Sequence, residues 1–260
     1  MAEIKNAKIE ITDGALIPDK GEKSIFSAWK ISFFGAIALL IILPLVSPDP
    51  YAQILKFLPD GILKTFQVTV LSICFSLILG LITGLGRISR ITVINRIATI
   101  YVEVIRGIPL LVQLFYIYFA LGSWLHLPGI VAAIAAMSIC YGAYMGEIFR
   151  AGIQSIPKGQ MEAAIALGLS RGQALRYVIL PQTMKMVLPP IGNEFIALLK
   201  DSSLVSILAV SDLLRRGREY ASTTFNYFES YTMVALVYLV MTLFFSKLVA
   251  IMEERLNRRG

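Results

Sequence analysis

Long apolar stretches alternate with short polar segments along most of the chain. Each stretch is near the ~20 residues that an α-helix needs to cross the hydrocarbon of a bilayer. Several contain Gly, Pro or charged residues, which indicates that they face protein rather than lipid. The pattern predicts an all-α membrane protein with about six transmembrane helices, at residues 29–46, 62–85, 97–121, 130–151, 186–210 and 231–252.

The composition supports a membrane protein. Of the 260 residues, 57% are hydrophobic and 16% are charged, against about 25% charged residues in a typical soluble domain. Mean hydropathy is +0.72. The net charge is +7, but the basic residues are interspersed with apolar runs. That arrangement favours an orientation signal over a nucleic-acid surface, so membrane lipid is an expected partner and nucleic acid is not.

The two ends of the chain are polar. Residues 1–28 are predicted to form a cytoplasmic tail and residues 253–260 a second one. The apolar stretch at 29–46 has two interpretations, a signal peptide or a retained membrane helix. A long charged leader precedes it and no small-x-small cleavage site follows, so a retained extra helix is favoured. With both termini in the cytoplasm, sixteen basic residues fall in inner segments and four in outer ones, as the positive-inside rule requires.

A polar insert at about 155–181 separates the fourth and fifth apolar stretches. Its first half is predicted to form a helix capped by Ser155, with Pro157 in the first turn and an end at Gly168. Its second half begins at Ser170, has Gln173 at the spacing of a capping box, and is predicted to end at Pro181. Two interpretations remain open from the residues alone: a helical hairpin on the membrane surface, or a docking element for a cytoplasmic partner.

The insert resembles the EAA motif of ABC importer permeases. The residues that carry the resemblance are Glu162, Ala163, Ala164, Gly168, Val178, Leu180 and Pro181. The stretches "RGIPLLVQLFY" (106–116), "YGAYMGEIFRAGI" (141–153) and "LPPIGNEFIALLKDSSLVSI" (188–207) are similar to the polar amino acid uptake subfamily. Two positions depart from the usual pattern, because Val178 stands where Ile is usual and Ile108 where Thr is usual.

The resemblance implies a type I importer permease with a five-helix core at about 61–252 and the helix at 29–46 as an addition. It implies coupling helices at about 155–181 that dock on an ATPase through Glu162, Ala163, Ala164, Gly168 and Pro181. The implied partners are two ATP-binding cassette subunits that hold ATP and Mg, a second permease subunit that is identical or similar, and an extracytoplasmic amino-acid-binding protein. The implied location is the bacterial inner membrane.

Charged side chains inside the predicted spans are candidates for substrate binding. Asn193 and Lys200 are seven residues apart, as are Glu194 and Asp201, so each pair shares a helix face, and the four are predicted to form one polar stripe with Ser202. An amino acid carries both an ammonium and a carboxylate, and this stripe offers groups of both signs. Internal neutralisation of the charges is the alternative. Arg106 and Gln113, on one side of the third stretch, complete the predicted substrate-binding set.

Two further pairs of charges have the i,i+3 spacing of helical ion pairs. Glu103 and Arg106 form one, and Glu147 and Arg150 form the other. For both pairs mutual neutralisation inside the helix bundle is favoured over a role in transport.

The sequence contains no recognisable catalytic machinery. A P-loop is absent, since the nearest match at Gly14 has the wrong spacing, and no metal-ligand cluster or nucleophile motif is present. The chain is therefore predicted not to be an enzyme, to hold no cofactor or metal, and to be the permease subunit of an ATP-driven importer of polar amino acids. The alternatives are an ion-gradient-driven secondary transporter, a membrane enzyme that uses Glu147 or Glu194, and a structural scaffold.

Overall fold

A computed structural model describes residues 27–258, and this part of the chain is helical without strands. The predicted tail at 1–28 lies almost wholly outside the described residues. Twelve α-helices are joined by two π-helical turns, Tyr116–Leu121 and Leu175–Ile179, and one 3₁₀ segment, Ser202–Leu208. The α-helices are α1 Ala28–Val46, α2 Pro48–Phe57, α3 Pro59–Arg87, α4 Thr92–Gly107, α5 Leu110–Phe115, α6 Gly122–Leu125, α7 Gly129–Gln154, α8 Lys158–Ala166, α9 Arg171–Ala174, α10 Leu180–Asp201, α11 Leu213–Thr224 and α12 Tyr227–Arg258.

The all-α membrane fold is confirmed. Four helical stretches are long and apolar enough to cross a membrane, namely Ala28–Val46, Pro48–Arg87, Gly129–Gln154 and Tyr227–Leu256. A fifth candidate span consists of α4 together with residues 110–121, and these two parts are bent by 102°. The predicted span at 186–210, the fifth along the chain, corresponds to α10, which has 22 residues and is more polar. It ends at Asp201, where the 3₁₀ segment begins, so the single helix predicted for 186–210 is wrong.

The tightest packing in the described bundle is between α3 and α7. A Cβ atom placed on Gly80 would lie 2.2 Å from the Cβ of Met145, and one on Gly84 would lie 2.8 Å from the Cβ of Phe149. Small residues let two membrane helices approach closely enough for backbone contact. The glycines therefore let α3 and α7 form a close-packed pair, and other helices of the bundle pack against it.

The extra helix α1 is fastened to α12 at one end. The Trp29 indole donates a hydrogen bond of 2.9 Å to the Leu243 carbonyl, and the Lys247 ammonium lies 5.5 Å from the centre of the Trp29 ring. Ala36 is the single buried residue of α1. A helix that is apolar all round and mostly exposed suits contact with lipid. At the other end of the chain, α12 continues to Arg258, so most of the predicted tail at 253–260 prolongs the helix.

Candidate functional site

The break between α4 and α5 is braced by a buried side chain. The Gln113 amide donates two hydrogen bonds of 2.8 Å, one to the Ile105 carbonyl and one to the Ile108 carbonyl. The last carbonyls of a helix have no partner within it and need one from elsewhere. Gln113 supplies that partner, and its side chain is only 6% exposed. Gln113 therefore lies behind the break, where its hydrogen bonds fix the direction of α5 relative to α4.

A cavity of about 450 Å³ lies beside this break. Three helices form its walls: α4 provides Arg106, α7 provides Cys140, Tyr141 and Tyr144, and α10 provides Glu194 and Asp201. The backbone of the break, at residues 107–110, lines the rest. A space of this size, with a few convergent polar groups among apolar ones, is typical of a small-molecule binding site.

Charges of both signs face the cavity. The Tyr141 hydroxyl donates a hydrogen bond of 2.8 Å to Asp201 Oδ2, and the Arg106 guanidinium lies 5.1 Å from the centre of the Tyr144 ring. Glu194 accepts no hydrogen bond from the part of the chain that the structure describes, although it is half-buried. A guanidinium and an unpartnered carboxylate across one space are chemically suited to a ligand that carries an anion and a cation.

The structure brings together three of the seven predicted substrate-binding residues, Arg106, Glu194 and Asp201. Ser202 is buried and its hydroxyl donates to the Leu199 carbonyl at 2.7 Å. Lys200 lies on another side of α10, against a separate pocket of about 320 Å³.

Asn193 is exposed on the same side of α10 as Lys200. Successive residues of a helix point about 100° apart, so Asn193 and Lys200 turn away from the cavity that Glu194 and Asp201 line. The polar residues of α10 therefore do not all face one cavity.

Sequence reasoning missed the aromatic wall of the cavity. Tyr141 and Tyr144 both belong to the stretch "YGAYMGEIFRAGI", and their i,i+3 spacing on one helix face was the available signal. Tyr141 contacts Asp201 of α10 and Tyr144 contacts Arg106 of α4, and both contacts depend on how α4 and α10 pack against α7.

The ion pairs at the other end of α7 are partly as predicted. Glu147 pairs with Arg150, which confirms the i,i+3 prediction, and also with Arg87 at the end of α3. The predicted pair between Glu103 and Arg106 is wrong. Arg106 turns towards the cavity and Tyr144, while Glu103 stays exposed with no ion pair among residues 27–258.

The polar insert forms the predicted pair of short helical segments, with corrections at both ends. The first helix is α8, which follows Pro157 directly, and Ser155 does not cap it because its hydroxyl donates to the Gly152 carbonyl at 2.8 Å. Gly168 has a φ of 88°, as a residue that ends a helix in the left-handed region requires.

The second half of the insert starts as predicted but ends differently. The Ser170–Gln173 capping box is present. Pro181 does not end this segment, because the π-helical turn 175–179 runs directly into α10 and Pro181 occupies the first turn of that helix, where proline is tolerated.

The insert presents both apolar and polar groups on its surface. Glu162, Ala163, Gly168 and Pro181 are exposed, whereas Ala164 is buried against the rest of the segment. Leu167 is 85% exposed beside them. An exposed leucine next to small residues is a surface that another protein can approach closely, as the docking interpretation requires.

The fold, the cavity and the insert together define a membrane permease that works with other subunits. A family model described as "Binding-protein-dependent transport system inner membrane component" matches residues 76–258, and the chain belongs to this family. The helices α1 and α2 lie before the matched region.

Individual relatives agree with this assignment. The chain is 38% identical over 206 residues to the glutamine transport system permease protein GlnP of Escherichia coli K12, covering 78% of this chain and 94% of that protein. It is 40% identical over 200 residues to the probable glutamine ABC transporter permease GlnM of Bacillus subtilis, covering 76% and 93%. It is 37% identical over 205 residues to the arginine permease ArtQ of the same organism, covering 78% and 94%.

Solved structures show the same fold. The crystal structure of an amino acid ABC transporter with histidines matches with a TM-score of 0.74 and 42% identity, covering 78% of this chain and 96% of that one. An inward-facing structure of the MetNI methionine ABC transporter shares the fold with a TM-score of 0.63 at 22% identity, covering 76% and 97%. The chain is an ABC importer permease by family and fold.

Proposed function

We propose that the chain imports polar amino acids through the cavity lined by Arg106, Glu194 and Asp201. The relatives named for glutamine and arginine transport support this substrate class. The observation that carries the proposal is the arrangement of one guanidinium and two carboxylates around a single 450 Å³ space. That arrangement matches the carboxylate and the ammonium that every free amino acid carries.

Each charge in the cavity has a distinct role in this proposal. Arg106 binds the substrate carboxylate, since a guanidinium donates two parallel hydrogen bonds to a carboxylate. Glu194 binds the ammonium, because it has no hydrogen-bond donor of its own among the described residues. Asp201 is held by Tyr141 and closes the acidic side of the cavity.

The remaining predicted residues have supporting roles. Gln113 sets the shape of the cavity through the break, and Ser202 helps to form the junction between α10 and the 3₁₀ segment. Asn193 and Lys200 lie outside the cavity.

The energy for transport is supplied by partner chains. Two ATP-binding cassette subunits, which hold ATP and Mg, dock on the insert around Glu162, Ala163, Ala164, Gly168 and Pro181. The exposed Leu167 supports this docking, because a leucine that is 85% exposed leaves most of its apolar surface free for another chain. A second permease subunit completes the pore, and an amino-acid-binding protein delivers substrate at the outer face. The transporter lies in the inner membrane of a bacterium, and both termini of this chain are in the cytoplasm.

The link between ATP and the cavity runs along α7. This helix carries Tyr141 and Tyr144 in the cavity wall and leads at its end into the insert. Glu147 ties the same helix to α3 through Arg87. Movement of the insert by the ATPase therefore moves one cavity wall, which is the element that an alternating-access mechanism needs.

Uptake measurements on the reconstituted transporter test the substrate site. Glu194→Gln and Asp201→Asn are compared with Glu229→Gln, a half-buried acid in the first turn of α12 that does not line the cavity. We expect the first two variants to raise KM for amino acid uptake about tenfold or more, the effect of losing ~1.4 kcal/mol of binding. The Glu229 variant retains the parental KM. Unchanged uptake in both cavity variants would remove these carboxylates from the substrate site.

A further inference from the structure

Two exposed lysines lie where α1 packs against α12, at a place formed by Trp29, Lys30, Leu243 and Lys247 that is called the α1–α12 seam below. The Lys247 ammonium lies 5.5 Å from the centre of the Trp29 ring, and Lys30 is the next residue of α1. Neither lysine forms an ion pair with any residue in 27–258. The seam therefore carries positive charge that the described chain does not neutralise.

The seam lies at one edge of the membrane-spanning part. Residues 31–46 of α1 and 230–246 of α12 carry no charge, and each run ends at one of the two lysines. Each run is roughly 25 Å long at 1.5 Å per residue, close to the ~30 Å thickness of the hydrocarbon. The Trp29 indole donates its hydrogen bond to the Leu243 carbonyl, so these two helix ends are level. The lysines are thus at the depth of lipid headgroups.

This edge is on the side of the bilayer where the insert emerges. The helix α10 follows the insert directly, and a Cβ atom placed on its Gly192 would lie 2.7 Å from Val249 Cγ2, two residues beyond Lys247. The far end of α10, at Asp201, is bonded to Tyr141 in the middle of α7. The seam therefore lies between the cavity and the insert in depth, and under the proposed orientation it faces the cytoplasmic leaflet.

The surface beside the seam is aromatic towards the bilayer centre. Phe33 stacks on Trp29 with ring centres 4.9 Å apart, one turn further into the membrane. Phe34 is 59% exposed, and Phe244, one turn before Lys247, is 48% exposed. Cationic groups at headgroup depth and apolar rings at acyl-chain depth together match the two parts of a phospholipid. Trp at this level is also typical of a membrane–water interface.

Acidic residues of the two helices lie away from the seam. Glu229 is near the opposite end of α12. Glu253 and Glu254 follow Lys247 by roughly 9–10 Å along the helix axis, towards water, and Arg255 is next to them. A compensating anion at the seam itself therefore comes from outside the described chain, and the membrane is the nearest source of one.

We propose that the α1–α12 seam binds an anionic phospholipid, whose phosphate contacts Lys30 and Lys247 and whose acyl chains lie along Phe34 and Phe244. The site needs residues of both helices, and α1 lies before residues 76–258, which the family model matches. It is thus an addition to the family core rather than a part of it. The inference goes beyond amino acid import, because it assigns a ligand to a surface that lies outside the cavity.

Tryptophan quenching in the full-length chain tests the site directly. The chain has two tryptophans, so Trp124→Phe leaves Trp29 as the only one. This protein is reconstituted in phosphatidylcholine vesicles that contain a small fraction of brominated phosphatidylglycerol or, separately, brominated phosphatidylcholine, since bromine quenches tryptophan at contact distance. A lysine near an anionic surface gives an attraction of about fivefold. We expect quenching that corresponds to about tenfold enrichment of the anionic lipid beside Trp29.

Substitution of the lysines separates headgroup binding from contact with acyl chains. In the same background, Lys30→Gln combined with Lys247→Gln is expected to give equal quenching by the two brominated lipids. Lys30→Arg combined with Lys247→Arg keeps both charges and retains the preference for the anionic lipid. The matched control is Lys56→Gln, because Lys56 is an exposed lysine in the last turn of α2, beyond the other end of α1. It retains the full preference.

Three results would overturn the inference. Equal quenching by the two lipids with both lysines in place would do so without any lysine variant. A preference that survives the paired Gln substitutions would show that the lysines do not bind the headgroup, and a preference lost in Lys56→Gln would show an effect of overall charge. None of these results bears on import, because a transporter that takes up amino acids on ATP without a lipid preference at Trp29 leaves the proposed function standing.

Discussion

The Tyr141 hydroxyl donates a 2.8 Å hydrogen bond to the Asp201 carboxylate and thereby joins α7 to the end of α10. Both residues line the candidate cavity. The bond also lies where α10 gives way to the 3₁₀ segment, so it fixes the position of a carboxylate at a point where the helix provides no further support. The bond thus connects α7, which leads to the insert, with α10, which carries the acidic residues, at the cavity itself.

Replacement of Tyr141 by Phe tests this connection. The change removes one hydrogen bond to a charged group, a contribution of about 1.5–3 kcal/mol. We expect KM for amino acid uptake to rise about tenfold while the amount of assembled transporter stays the same. Tyr116→Phe is the matched control, because Tyr116 is exposed and lies outside the cavity. Equal KM values for Tyr141→Phe and the parent would show that the bond does not position Asp201 for substrate.

The Gln113 brace gives a prediction on stability. Gln113→Leu keeps the approximate volume but leaves the Ile105 and Ile108 carbonyls without their shared donor. Each hydrogen bond of this kind contributes about 0.5–1.5 kcal/mol, so we expect a lower unfolding temperature for the purified transporter and reduced uptake. Gln67→Leu is the control, because the Gln67 side chain accepts a hydrogen bond from the exposed Lys64 and braces no helix break. A variant with unchanged unfolding temperature would mean that the break does not need Gln113.

The close contact between α3 and α7 makes Gly80 sensitive to substitution. A Cβ atom there would lie 2.2 Å from the Cβ of Met145, and relief requires the two backbones to move apart. We expect Gly80→Ala to destabilise the protein by about 1–3 kcal/mol, the usual cost of overpacking. The control is Gly35→Ala on α1, where nothing lies within 4 Å. Thermal unfolding of both variants in detergent measures the difference, and equal midpoints would contradict the tight packing.

Asp212 gives stability a pH dependence outside the spans. It caps α11 by accepting hydrogen bonds from the backbone N–H groups of Leu214 and Arg215, yet burial raises its pKa from 3.8 to about 6. The raised pKa means that the folded protein binds this proton more tightly than the unfolded chain does. Its contribution to stability is therefore fully present below about pH 4 and is lost as the pH rises through about 6.

Asn also caps helices well but does not titrate, so Asp212→Asn isolates this effect. We expect the unfolding temperature of the parent to fall, relative to that of the variant, between about pH 4 and pH 7, with a limit of about 3 kcal/mol set by the pKa difference. Parallel pH profiles for the two proteins would show that the carboxyl is not the titrating group.

The sequence predicted most of the spans because each apolar run is near the ~20 residues that a membrane helix needs, whereas the helix predicted for 186–210 ends at Asp201. The break at residues 107–110 was less visible, since its 102° angle depends on Gln113 reaching back to two carbonyls. Likewise Arg87 and Glu147 are far apart in sequence and meet only when α3 packs on α7.

Charge was the signal for three of the predicted residues that the structure places at one cavity. Arg106, Glu194 and Asp201 stand out as charges in apolar surroundings, and all three line the cavity. Lys200 stands out equally, but its direction depends on helix rotation, which places it about 100° from Asp201. Tyr141 is uncharged and therefore did not stand out in the sequence. Its role follows from a contact between α7 and α10 that the sequence does not predict.

The central claim is that this chain moves amino acids only when an ATPase drives it through the insert. Uptake into vesicles containing the chain, its ATPase and its binding protein is the most direct measurement, made with ATP, without ATP, and with Leu167→Asp at the exposed surface of the insert. We predict uptake of a polar amino acid with ATP, none without it, and a large loss in the variant while the permease remains in the membrane. Uptake that persists without ATP or ATPase, driven by an ion gradient, would contradict the account.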